Sequence, residues 1–420
     1  AVDTWGVDFG LLDESGALLG LPFSYRDGRT RGAMEGFFAR LPRQAVYRLT
    51  GIQFLSINTL YQLFSMVRDR SPLLGRAAGL LFLPDIFHYF LTGEKSTEFS
   101  MATTSQLFDS RLGSWSKEIF DALELPLSLM QCPVEPGTVI GPLLDAVGRE
   151  TGFDECQVVA SLTHDTAAAV AAVPAEGGDW AYISSGTWSL VGVETDSPVI
   201  DDRSLKLNFT NEGGIGRSVR LLKNVTGLWL VQQCRKTWAR RGSSSTFDYD
   251  DLTRLAEEAP PFRTFIDPDS PEFLNPDDMP AAIQAYARRT KQAVPETPGG
   301  FVRSILESLA FQYREVLDEL EDLIGRQICV VHIIGGGARN ELLNRFTAAA
   351  SGRTVVAGPD EATAWGNILG QGLALGYIRS RAEARDMIRN SVETRAYPPE
   401  KVEAWEKARA RFQEIAGKRK

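Results

Sequence analysis

The sequence predicts an α/β protein built in two halves. Short apolar runs rich in β-branched residues alternate with stretches of helical periodicity along the chain. The pattern restarts as a fresh β-hairpin just after Gly177-Gly178, and a glycine run follows one of the strongest strand signals. The boundary is expected near residue 175, dividing the chain into 1–174 and 175–420.

In order along the chain, residues 1–12 are β-rich, Asp13-Glu14-Ser15-Gly16 is a turn signal, and 17–24 reads as the returning strand. Residues 31–125 are largely helical in pattern, with an apolar period of 3.6 from Asn58 and a helix over Phe87 to Leu91 that Gly93 stops. A short buried strand is expected at 158–161, followed by Thr163-His164-Asp165-Thr166 and an alanine-valine helix to Val173. The second half opens with strands over 180–185 and 188–194 around the turn Gly186-Thr187. A long helix over 298–323, a strand over 328–334, Gly335-Gly336-Gly337 and a helix from Asn340 follow. Another strand ends at 355–359, and 362–373 is a small-residue helix.

Bulk properties narrow the function classes. No stretch approaches the roughly 20 uncharged apolar residues of a membrane span; the longest apolar-rich run, 77–91, is broken by Pro84, Asp85 and His88. No basic-then-apolar leader opens the chain, so cytoplasm is the expected compartment. Net charge is −9, and the basic clusters Arg235-Lys236, Arg240-Arg241 and Lys418-Arg419-Lys420 are too short for a nucleic-acid face. Cys132, Cys156, Cys234 and Cys329 are far apart, and three histidines add no zinc spacing, so the cysteines read as small core residues. No coiled-coil or interface stripe appears, and a monomer or weak homodimer is expected. The pairs Arg26–Asp27 and Asp85–His88 read as structural, and lone aromatics such as Trp229 and Trp365 as core.

Four constellations carry chemistry. Asp165 follows a buried strand and starts a helix, where open α/β sheets keep ligand crevices. A carboxylate there can take the proton of an attacking hydroxyl, though an Asp at that position serves equally as a helix cap. Ser184-Ser185-Gly186-Thr187-Trp188-Ser189 is a tight turn whose N–H groups and Thr187 hydroxyl could line a phosphate concavity, or form an ordinary hairpin. Gly335-Gly336-Gly337 between a strand and a helix allows close backbone approach to a nucleotide, yet is neither a spaced dinucleotide fingerprint nor a Walker loop. In Asp3-Thr4-Trp5-Gly6-Val7-Asp8-Phe9, strand alternation puts Asp3, Trp5 and Val7 on one face, and Gly6 would let a sugar lie against the backbone.

These pieces, with Tyr25-Arg26-Asp27, Gly51-Ile52-Gln53-Phe54, Asn58 to Leu63, Ala102-Thr103-Thr104, Asn211-Glu212-Gly213-Gly214, Lys223-Asn224, Gly227 to Leu230, Ala357-Gly358-Pro359 and Gly366-Asn367, run in one order along nearly the whole chain. In that order they resemble the FGGY carbohydrate kinases, most closely the members that phosphorylate L-rhamnulose. The resemblance implies two ribonuclease-H-like (actin-like ATPase) domains with a cleft between them, the first binding sugar and the second nucleotide. It implies transfer from ATP, with Mg2+, to the C1 hydroxyl of L-rhamnulose, giving L-rhamnulose 1-phosphate. Asp165 would be the catalytic base; Gly6, His164, Asp165, Thr166 and Asn224 would contact the ketose; Thr187, Gln232 and Gly336 would bind ATP; no protein metal ligand is assigned. Alternatives are a kinase for another ketose such as L-fuculose, or a non-catalytic sugar- or nucleotide-binding homologue. One departure stands out: the family's opening phosphate-loop hairpin does not precede Ala1. The expectation is an N-terminally truncated first domain that as given binds ATP-Mg2+ poorly.

Overall fold

Continuous apolar runs become the buried strands of the chain, whose computed structural model describes all residues except 154, 243–246 and 418–420. The Lys418-Arg419-Lys420 run therefore lies outside the described residues. The chain divides into two compact units. One takes in Ala1–Pro174, Glu194–Lys223 and Ala362–Ser391; the other takes in Ala175–Val193, Asn224–Glu361 and Val392–Lys420. Residues 194–223 and 362–391, placed in the second half on sequence, thus pack with the first unit.

In the first unit, Phe9–Leu12 pairs antiparallel with Gly79–Phe82, Phe9 opposite Phe82 and Leu12 opposite Gly79. Both strands are buried throughout, which is why they read as apolar runs without alternation. They pack on helices over Ala33–Phe38, Arg43–Thr50 and Thr59–Arg68 through Phe37, Tyr47, Tyr61, Phe64 and Phe82. Leu83–Thr92 is a helix that ends at Gly93, whose φ of 79° needs no Cβ. Thr138–Pro142 pairs antiparallel with Gln157–Ala160, and Thr210–Gly213 with Val219–Thr226.

The second helix of a close pair in this unit, Ala362–Ala374, lies against the short helix Asp165–Ala171. Small residues make that approach possible. A Cβ on Gly366 would collide with the carbonyl of Ala168, and one on Gly370 would sit 2.7 Å from Ser161 Cβ. Glycine at these two positions of the Ala362–Ala374 helix is thus a packing requirement.

In the other unit, Trp180–Ser185 and Trp188–Thr195 form the expected hairpin, Ser185 opposite Ser189. Val330–Ile334 runs parallel to Trp180–Ser185 on one side and to Thr354–Ala357 on the other, and Arg395–Tyr397 closes the edge antiparallel. The 27-residue helix Pro298–Ile324 starts at Thr297, whose hydroxyl accepts the Gly300 N–H, and stops at Gly325. It packs against Glu341–Ser351, and Phe265, Phe311, Trp405 and Phe412 form a cluster of rings beside it.

Four expectations change. Residues 17–24 form no strand: a single bridge joins Leu12 to Leu18, and the apolar Gly79–Phe82 takes the long partnership instead. Residues 3–8 do not alternate as a strand, because the Asp8 N–H bonds back to the Gly6 carbonyl at 3.0 Å around Val7 at φ 69°. That closes a γ-turn, leaving Trp5 48% exposed and Val7 buried. Only Cys234 is a core cysteine; Cys132, Cys156 and Cys329 are exposed. Trp229 and Trp365 are half-buried rather than core.

The helix crossing makes a direct prediction. Gly366→Ala should destabilise the fold by about 1–3 kcal/mol through overpacking. Gly75→Ala, where a Cβ meets nothing within 4 Å, should be nearly neutral. Urea midpoints would decide, and equal midpoints for the two variants would refute the close-approach argument.

Candidate active site

Backbone pairing positions Asp165. The Thr4 N–H donates to the Thr163 carbonyl and the Asp165 N–H donates to the Thr4 carbonyl, both at 2.9 Å, so the front segment is laced to the start of the Asp165 helix. Behind it, the buried Glu98 carboxylate accepts from the Thr163 N–H at 3.1 Å, the Thr163 hydroxyl at 2.8 Å, the Ser100 N–H at 2.8 Å and the Ser100 hydroxyl. On the far flank the Thr363 hydroxyl donates to the Asp165 carbonyl at 3.2 Å. The N-cap position belongs to His164, whose side chain makes no cap bond, while the Asp165 carboxylate, one position inside, accepts from the Thr166 backbone N–H.

That carboxylate accepts from the Thr166 hydroxyl at 3.1 Å and lies 3.5 Å from His164 Nε2. Loss of hydration among packed neighbours pushes its pKa up to about 6, opposed by the Thr166 bonds and Arg220, and reinforced by the like charge of Asp3. The side chain keeps 41% of its surface open to water, which moderates the rise without changing its sign. Asp3 itself accepts from Asn367 Nδ2 at 2.5 Å, and Asn367 Oδ1 accepts from Gln371 at 2.8 Å.

His164 is buried. Its Nδ1 lies 3.1 Å from Arg220 Nη2 and 3.6 Å from Glu212 Oε2. Burial, then the neighbouring Arg220 charge, holds its pKa well below the ordinary histidine value, so the ring is neutral near pH 7. Arg220 and Glu212 are directly opposed across the antiparallel pair Thr210–Gly213 with Val219–Thr226, and bond at 3.1 Å.

The front segment adds a strained turn. A β-branched residue at positive φ is a costly conformation of the kind that collects at binding sites. Val7 is held there by the Thr59 hydroxyl on its carbonyl at 2.7 Å and by its own N–H on the Thr104 hydroxyl at 3.3 Å. Gly6 fits tightly beside it, since a Cβ would lie 3.1 Å from Thr104 Cγ2.

The second unit carries the glycine loop and the hydroxyl turn. Gly335 has φ 79°, and a Cβ on Gly337 would lie 2.5 Å from Ser185 Cβ, so the fold itself demands both. Gly336 differs: a Cβ there would meet nothing within 4 Å. The Thr187 carbonyl accepts from the N–H groups of Gly227 at 3.1 Å and Trp229 at 3.2 Å, and the Thr187 hydroxyl reaches Gln232 Oε1 at 3.4 Å.

Comparison with known proteins now bears on this geometry. The N-terminal domain model of the FGGY family of carbohydrate kinases matches residues 1–172, and its C-terminal domain model matches 181–375. The chain belongs to this family. Similar relatives include a rhamnulokinase of Bacteroides thetaiotaomicron, 46% identical over 411 residues, covering 98% of this chain and 84% of the relative. A rhamnulokinase of Enterococcus faecalis is 41% identical over 405 residues, covering 96% and 80%. Among solved structures, ligand-bound xylulose kinase from Lactobacillus acidophilus superposes with a TM-score of 0.81 at 16% identity, covering 99% of this chain and 83% of that one. Plasmodium falciparum glycerol kinase with ADP gives 0.75 at 14%, covering 99% and 82%. These likenesses show the fold, that of the actin-like ATPases. This FGGY protein is a sugar kinase.

Of the residues singled out in the kinase sequence, the structure gathers His164, Asp165 and Thr166 at one helix start, with Gly6 two residues beyond the Thr4 bridge. It brings Thr187 to Gln232, and sets Gly336 in the exposed middle of its loop. Asn224 lies in the strand Val219–Thr226, half-buried. Sequence reasoning gave no role to Glu98, Glu212 or Arg220. Glu212 fell inside a family motif, but Arg220 carries no local signal, since only the strand register sets it against Glu212.

The glycine loop of the kinase predicts unequal substitutions. Gly337→Ala should lower stability by about 1–3 kcal/mol, whereas Gly336→Ala should stay within about 0.5 kcal/mol of the parent. Denaturant unfolding of both checks this, and comparable losses at the two positions would contradict it.

Proposed function

We propose that this FGGY kinase transfers the γ-phosphoryl group of ATP to the C1 hydroxyl of L-rhamnulose, with Asp165 as general base. What carries the reading is a carboxylate set in place by backbone bonds at a helix start and raised toward about 6 by its surroundings. A base of that strength is charged at neutral pH and still basic enough to accept a hydroxyl proton. The identity of 38–46% to rhamnulokinases favours L-rhamnulose among ketoses.

In this scheme O1 of the ketose forms its bond to the γ-phosphorus while its proton passes to a carboxylate oxygen of Asp165. The bond from that phosphorus to the bridging oxygen breaks, and its electron pair leaves with ADP. Thr166, whose hydroxyl already donates to Asp165 Oδ1, aims the carboxylate. His164, Gly6 and Asn224 are proposed to contact the sugar, Gly6 through backbone beside the strained Val7 turn.

The nucleotide's fit rests on the second unit. Gly336 offers open space above a loop whose other two glycines are already committed, and Thr187 with Gln232 supplies polar atoms nearby. Among the described residues no group of three or more His, Cys, Asp or Glu side chains could hold a metal. Mg2+ is commonly held through the phosphates of its nucleotide and one or two carboxylates, and that mode suits this chain. When bound, it neutralises charge on the transferring phosphoryl group. The cytoplasm is the proposed place of work, and among the described residues no helix is long and apolar enough to cross a membrane.

Asp165→Asn tests the base. In the full-length gene product, turnover with L-rhamnulose should fall about 10²–10⁴-fold, with ketose binding retained. Stability runs the other way. A carboxyl raised in the folded state opposes folding increasingly as pH climbs from its unfolded value of 3.8 through about 6. The neutral amide should therefore hold or raise the melting temperature at pH 7. Undiminished turnover would remove Asp165 from the chemistry, and a lowered melting temperature would make it a structural residue. Run across a ketose panel, the same ADP-release assay tests the sugar, and a higher kcat/KM for L-fuculose than for L-rhamnulose would displace the substrate assignment.

A further inference from the structure

The kinase reading leaves one feature of the first unit unused: a buried ion pair that touches no proposed reacting atom. Arg220 is fully buried. Its Nε donates to the Gly213 carbonyl at 2.8 Å, and its Nη2 to Glu212 Oε2 and to His164 Nδ1, each at 3.1 Å. Glu212 accepts also from the Thr210 hydroxyl at 3.3 Å. Isolated buried ion pairs bring little net stability, because desolvation offsets their attraction. Hydrophobic residues would fill the space as well, so the pair invites a reason besides folding.

The donor and acceptor chemistry of the two side chains, guanidinium and imidazole, supplies it. A guanidinium has five N–H donors and no acceptor. The 3.1 Å approach of Arg220 Nη2 to His164 Nδ1 is therefore a hydrogen bond only when Nδ1 bears the lone pair. The single proton of the neutral ring must then sit on Nε2, the atom 3.5 Å from Asp165 Oδ1. Glu212 cannot reverse this while Arg220 occupies its Oε2, and it stands 3.6 Å from Nδ1, beyond good hydrogen-bond length.

We propose that the cross-strand pair Glu212–Arg220 is a positioning device: it keeps His164 neutral and in the Nε2–H tautomer, so that the ring presents a donor, never a lone pair, to the carboxylate of Asp165. The inference rests on the reading of Asp165 as the base. Glu212 and Arg220 face the ring from the hairpin and Asp165 from its own segment. Asp3 adds its charge beside Asp165, and Glu98 stands behind Thr163 and Ser100. At 3.5 Å the N–H dipole favours the charged base without a close hydrogen bond, and a lone pair there would repel it. Glu212 anchors Arg220, and the strand register that opposes Glu212 to Arg220 sets the geometry.

The tautomer is directly observable. The sequence of this chain holds three histidines, His88, His164 and His332. Nitrogen-15 NMR of histidine-labelled full-length protein, assigned with His164→Gln, should show His164 as neutral Nε2–H from pH 5.5 to 8. Arg220→Met should convert it to the Nδ1–H form or to the doubly protonated ring, and lower kcat about 10- to 100-fold, the usual cost of a hydrogen bond to a charged group. Stranding Glu212 could unfold that variant, so Glu212→Gln with Arg220→Met removes both charges and keeps the site folded. A folded double variant in which His164 remains neutral Nε2–H overturns the inference. In an Asp165→Asn background Arg220→Met should cost nothing more in kcat, and an equal further loss overturns it as well. If the tautomer responds but the parent protein phosphorylates no ketose, the positioning device stands and the kinase assignment of Asp165 falls.

Discussion

The site depends on one constraint: a carboxylate must stay ionised in packed surroundings at the start of a helix. Two backbone hydrogen bonds through Thr4 set the Asp165 peptide, and Thr363 holds its carbonyl. Gly366 and Gly370 let a second helix close on the first without a steric gap. The Thr166 hydroxyl then bonds to Asp165 Oδ1, and His164 Nε2 lies 3.5 Å away, which makes the orientation of these two groups decisive.

The neighbouring buried acids show how charge is managed. Glu98 is surrounded by four donors from Ser100 and Thr163, and its role is to hold the turn before His164. Glu212 is matched with Arg220. Asp85 is treated differently: burial, followed by the charge of Glu98, outweighs the bonds offered by Glu98, Phe82 and Thr97 and pushes it well above the ordinary carboxylate range. Protonated, it escapes the cost of a buried charge. Asp165 stands between these cases, wet enough to ionise and dry enough to be basic.

Much of the fold was legible because local pattern and tertiary packing agree. The hairpin from Trp180, the long helix from Pro298 and the stop at Gly93 follow from apolar spacing and capping chemistry. Residues 17–24 failed because a turn signal is local while strand pairing is not: Asp13 does form the turn, accepting the Ser15 and Ala17 N–H groups, yet the long pairing goes to a segment from Gly79 on. The γ-turn at Val7 was unreadable, since a β-branched residue gives no hint of positive φ and is held there by Thr59 and Thr104 from distant helices. Asp165 announced itself by its place after a strand, whereas Arg220 became visible only through register. The exposed cysteines were misread because composition does not report accessibility.

The most direct test of the whole account is the pH dependence of kcat/KM for L-rhamnulose in the full-length protein, followed from pH 4.5 to 8. The environment described here predicts loss of activity on acidification through a single ionisation close to pH 6, where Asp165 takes up its proton. A profile that stays flat down to pH 4.5 would mean that the essential carboxylate is an ordinary, solvated one, and the account of how this site makes its base would be wrong.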